Sequence, residues 1–126
     1  MSGPNWKLEN SLETLTITFP STPPVAIQWK APMVDEHLQK LGKLRAGMRP
    51  EIPKTFAPGQ LVGAVSDPAW VTEPDAMLGG TLLHIRDPRF GWLHYLIPKE
   101  KARKLAGLLQ AQADAEPPGQ RGDKLN

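Results

Sequence analysis

A chain of 126 residues with 15 Lys and Arg against 13 Asp and Glu carries a formal net charge of +2 and has no cysteine. It has room for one ordinary domain and excludes disulfide cross-links, thiol catalysis and cysteine-bound metal. The opening MSGPNWKLEN lacks the basic and apolar regions of a secretion signal, and no apolar run approaches the ~20 residues that span a bilayer; a cytoplasmic protein with no membrane segment is expected.

In chain order, the first clear element is LETLTITF. Leu15, Ile17 and Phe19 alternate with Thr14, Thr16 and Thr18, the period of two of a half-buried strand. PSTPP interrupts it, because proline has no ladder donor. VAIQWK then alternates again, with Val25, Ile27 and Trp29 on one side, so an antiparallel strand pair is expected. From Pro32 the period lengthens. Val34, Leu38 and Leu41 recur at helical spacing, Pro32 suits a helix start, and Gly47 suits its end. Gly42 inside this helix costs about 1 kcal/mol relative to alanine, which predicts close approach of another element there.

MRPEIPKTFAPG carries three prolines and no usable period, so it reads as an extended connector. QLVGAV and AWV read as short strands flanking an Asp67-Pro68 turn, and TEPDAMLGG as a loop whose adjacent glycines make a tight turn before the next strand. LLHIRDPRFGWLHYLIP is a hairpin around residues 87–91, and PKEKARKLAGLLQAQADA is an amphipathic helix striped by Ala102, Leu105, Ala106, Leu109 and Ala113. No repeat is visible. The fold expected is α+β: a mostly antiparallel sheet of five to six strands with two helices, the C-terminal one packed on the sheet. Residues 1–113 would form a single domain, and 114–126, rich in Pro, Gly and charge, a disordered tail.

Opposed residues across the 87–91 loop have numbers summing to 178. This pairs His84 with His94, Arg86 with Trp92 and Leu82 with Leu96 on one face. Leu83, Ile85, Leu93, Tyr95 and Ile97 fall on the other, apolar face, which should lie under the last helix. Directly opposed side chains stand ~4.5–5.5 Å apart at Cβ, so the two imidazoles are within reach of each other. Arg86, Trp92, His84 and His94 are therefore the candidate ligand- or partner-binding residues, with Arg86 stacked on Trp92. Two histidines supply half of a metal site; His37 is the nearest third ligand by residue type, but no spacing supports the assembly, and no metal or cofactor is expected.

Catalysis has weak support. The acids Asp67, Glu73, Asp75 and Asp87 share no acid/base spacing, no serine sits in a Gly-x-Ser-x-Gly elbow, and LGGT lacks the ending of a phosphate loop. Lys99, Lys101, Arg103 and Lys104 make a basic patch at the start of the last helix. Residues 30–50 carry five Lys and Arg against two acids, and 86–104 carry six against two. This favours an anionic ligand or nucleic acid as the alternative partner, although the same cations serve equally as the solvated face of a helix. The first reading is a small non-enzymatic interaction module that self-associates as a homodimer, or binds another protein, through a sheet face or edge.

Overall fold

The computed structural model describes residues 3–116 and divides the chain into two units, Met1–Leu61 and Val62–Asn126. The single sheet expected from the sequence is instead two separate three-stranded antiparallel sheets. The helix and the proline-rich connector intervene between the third strand and the fourth, and these two strands do not pair. The α+β class and the two helices stand. Each unit has the same order of elements, three strands and then a 16-residue helix.

In the first unit, β1 (Asn5–Leu8), β2 (Thr14–Phe19) and β3 (Val25–Lys30) form a meander. The alternation of β2 does what its period demands. Ile17 faces Trp6 on one side and Ile27 on the other, and it is 1% exposed, the single fully buried large side chain among the described residues. The opposite face carries Thr14, which is itself buried and accepts a hydrogen bond from Lys30 Nζ at 2.7 Å. β1 escaped the sequence reading because four residues are too few to display a period. Helix α1 (Ala31–Ala46) follows β3 without a linker. It is anchored by the ring of His37, stacked on Trp29 with centroids 3.9 Å apart, while His37 Nδ1 donates to the Met33 carbonyl at 2.8 Å. Gly42 meets nothing within 4 Å, so the close approach expected of it is absent.

In the second unit, β4 (Trp70–Pro74), β5 (Thr81–Asp87) and β6 (Gly91–Ile97) form the second meander, and α2 (Lys99–Asp114) follows. The stretch 60–65, expected as a short strand, is irregular; no neighbouring strand takes up its ladder groups, and Gly63 breaks its run of side chains. Conversely, Thr72, Glu73 and Pro74, expected in a loop, belong to β4 and pair with Leu83, Leu82 and Thr81. Asp114, assigned to the tail, closes α2, and residues 117–126 lie outside the described residues. Among the described residues no helix is long and apolar enough to cross a membrane.

The turn between β4 and β5 is built by Asp75 and two glycines. The Asp75 carboxylate accepts from the Leu78 N–H at 2.7 Å, and its own N–H donates to the Gly80 carbonyl at 3.1 Å. Gly79 and Gly80 both have positive φ, +75° and +95°. A Cβ on Gly80 would collide with the Ile97 carbonyl and crowd the Lys99 nitrogen, so glycine at 80 lets the turn sit against the junction of β6 and α2. Gly80→Ala is expected to destabilise the second unit by at least ~1–3 kcal/mol, whereas Gly42→Ala, with open space around it, should stabilise α1 by up to about 1 kcal/mol. Thermal unfolding of the two variants, followed by circular dichroism, measures both.

Candidate functional site

The hairpin register is the one its sequence implies. His84 pairs with His94, Arg86 with Trp92, Leu82 with Leu96, and Asp87 with Gly91. Gly91 takes φ +77° at the turn. Asp87 organises that turn: its carboxylate accepts from the Arg89 and Phe90 N–H groups, at 2.7 and 3.3 Å, and from the Arg89 guanidinium at 3.2–3.3 Å. The Arg89 hydrogen bonds are the main cause holding the Asp87 carboxyl below its ordinary value of 3.8, and they raise Arg89 in return. The guanidinium that lies over a ring is also that of Arg89, 5.0 Å from the centre of Phe90. Arg86 is opposite Trp92 in register, but the expected stacking of these two is not found among the described residues.

Alternation along β4, β5 and β6 sends Val71, Glu73, Leu82, His84, Arg86, Trp92, His94 and Leu96 to one face and Trp70, Thr72, Thr81, Leu83, Ile85, Leu93, Tyr95 and Ile97 to the other. On the first face the two imidazoles meet, His84 Nδ1 lying 2.8 Å from His94 Nδ1 with the rings edge to face. Glu73 completes the cluster: its Oε2 is 2.7 Å from His84 Nε2. The sequence places Glu73 in a loop, whereas it belongs to β4. The signal that would have found it is the alternation of Val71 and Glu73 with Trp70 and Thr72, which a tight strand assignment for β4 would have exposed.

The order of donors follows from the carboxylate, which has only lone pairs to offer. His84 Nε2–H donates to Glu73. The contact between the two Nδ1 atoms needs a hydrogen on one of them, so one ring donates and the other accepts. The three side chains form one hydrogen-bonded chain across β6, β5 and β4. His84 is mostly covered, its side chain 18% exposed, while His94 is an exposed residue. Among the described residues no group of three or more His, Cys, Asp or Glu side chains converges on a common point; Glu73 sits on the far nitrogen of His84, away from His94. His37, in the first unit, is committed to Trp29 and Met33.

The other face of this sheet is turned toward α2 but is not sealed by it. Trp70, Leu83, Ile85 and Ile97 from the sheet and Ala102, Leu105, Ala106 and Leu109 from the helix line a cleft of about 680 Å³, with Thr72 and Thr81 among its few polar side chains. The sequence assigns these residues to a common core; the structure brings them to one cleft and leaves it open. The basic patch lies on the first turns of α2: Arg103 is paired with Glu100 at 2.7 Å, and Lys99, Lys101 and Lys104 are exposed. No family model, curated protein or solved structure matches this chain.

Two measurements check this geometry. Glu73→Ala should remove the acceptor that orients His84, and nitrogen NMR of the ring should show loss of the Nε2–H preference at His84 with the His37 ring unchanged. Because its folded-state value is lowered, Asp87 contributes stability that is complete above 3.8 and is lost as pH falls through the lower folded value. Asp87→Asn should abolish that acid-range loss of hairpin stability, followed by amide exchange of β5 and β6.

Proposed function

We propose that this chain is a non-enzymatic interaction module that self-associates through its second sheet, on the face turned to α2. The observation that carries this reading is the open apolar cleft. A sheet face bearing Leu83, Ile85 and Ile97 and a helix face bearing Leu105 and Leu109 enclose about 680 Å³, and Leu109 is still 57% exposed. Apolar surface of this kind gains roughly 25 cal/mol for every Å² removed from water, and contiguous exposed patches mark interaction surfaces.

A second copy of the chain suits the cleft by charge as well as by apolarity. Helix α2 carries Lys99, Lys101, Arg103 and Lys104 in its first turns and Asp114 at its end. An antiparallel pair of α2 helices, one from each copy, sets each basic end beside the acidic end of the other, the reciprocal contact that a two-fold interface requires. It also draws Leu105 and Leu109 of both copies into one seam, with Ala102 and Ala106 permitting close approach.

The Arg86, Trp92, His84 and His94 face is then left for another partner, with Trp92 and Leu96 each 42% exposed on it. An anionic ligand or nucleic acid is the weaker alternative. The two basic segments 30–50 and 86–104 fall in different units, and Arg89 and Arg103 are already paired with neighbouring acids. A cytoplasmic setting belongs to this reading, since a chain without cysteine loses no cross-link in a reducing compartment.

Light scattering coupled to size-exclusion chromatography tests the proposal. The wild-type chain is expected at twice the monomer mass. Leu109→Lys, which places a charge in the seam, should return it to the monomer, and Trp92→Ala should leave the dimer intact. A wild-type chain that stays monomeric at every concentration, or a Leu109→Lys dimer as tight as the wild type, overturns the reading.

A further inference from the structure

We infer that the His84/His94 pair is a chelating site for a single divalent first-row transition ion of square-planar or octahedral preference, copper(II) or nickel(II), with Glu73 as its supporting residue. This does not rest on the self-association proposed above, because the pair lies on the opposite face of the sheet.

The geometry sets the class of ion. The two Nδ1 atoms are 2.8 Å apart. Nitrogens at that separation, each ~2.0–2.1 Å from a shared ion, subtend about 84–89° at it. That is close to the right angle between neighbouring ligands in square-planar or octahedral coordination, and well short of the ~109° a tetrahedral zinc ion demands. Imidazole nitrogen is a suitable donor for copper and nickel, and copper(II) is bound most strongly of the divalent series.

The protonation pattern is also suited to an ion. Glu73 holds a proton on His84 Nε2, at 2.7 Å, so Nδ1 is the His84 nitrogen that can serve an ion, which takes the place of the hydrogen between the two Nδ1 atoms once the rings turn their lone pairs toward a common point. This is the carboxylate–histidine–metal arrangement in which an outer acid orients the ligating ring and raises its basicity. For both rings to bind, the hydrogen between the two Nδ1 atoms must leave, either to His94 Nε2 or to water, and on an exposed residue water can carry it. The negative charge of Glu73 offsets that of Arg86, the cation at the adjacent position along β5, and water fills the remaining coordination positions on this open face.

The rigidity of the pair comes from the ladder. His84 and His94 are directly opposed residues of β5 and β6, so the ladder fixes the separation of their Cβ atoms and leaves only the side-chain torsions to set that of the nitrogens. A chelate made of two ligands fixed on neighbouring strands loses little conformational freedom on binding.

The test is titration of the untagged full chain with copper(II), read by electron paramagnetic resonance and by isothermal calorimetry, and repeated with nickel(II) by calorimetry. One ion per chain is expected, and the copper spectrum of protein labelled with ¹⁵N-histidine should show two equivalent imidazole nitrogens. His37→Ala should bind as the wild type does. His84→Ala and His94→Ala should each lose the two-nitrogen signature, and Glu73→Gln should weaken binding tenfold to a hundredfold. Unchanged affinity in either His84→Ala or His94→Ala overturns the inference. So does a wild-type spectrum showing fewer than two histidine nitrogens, a result that depends on no variant folding.

Discussion

The register of β5 on β6 is the constraint from which the second unit is built. Asp87 and Gly91 close the turn, one by gathering two backbone N–H groups and a guanidinium, the other by accepting a positive φ. With that end pinned, His84 must oppose His94, and Leu83 must oppose Tyr95. A slip of β6 by one residue would turn that strand's side chains over, sending His94 toward α2 and Leu93, Tyr95 and Ile97 away from it. The imidazole pair and the split of the hairpin into an apolar and a mixed face are therefore two consequences of one turn, while the pairing of β4 with β5 brings in Glu73.

Burial is scarce in this protein, and the scarcity has a physical source. Three strands and one helix make a unit with a single covered face, and a three-stranded sheet is near the lower limit of what holds itself together in water. In the first unit the pattern succeeds once, at Ile17, flanked by β1 and β3. In the second unit the central strand β5 is half-buried along its length, yet the space between the sheet and α2 remains unfilled. Apolar residues positioned for a core but left accessible to water are the common thread between the fold and the interaction role argued for it.

Much of the local structure was legible in the residues. The hairpin register followed from counting through the turn, β2 and β3 from strict alternation, and both helices from leucine spacing and the prolines at their starts. What escaped notice shares one cause. β1 is four residues long, and β4 ends in Glu73-Pro74, a dipeptide that reads as a loop. Both are short edge strands, held in place by the partner strand and not by their own pattern. Glu73 lies in the part of β4 that its own residues do not mark as strand, so the sequence shows two histidines and leaves their acid unpaired with them.

By itself the sequence determined the class of fold, the pairing of His84 with His94, and the division of the hairpin into an apolar and a mixed face, because these depend on periodicity and turn chemistry within a few residues. Only the tertiary structure decided that the strands form two sheets, that Glu73 reaches His84, that Gly42 stands free while Gly80 is hemmed in, and that α2 leaves its cleft open. Those outcomes depend on which strand lies beside which and on the distance between surfaces remote in sequence. No alternation of residue types encodes that distance.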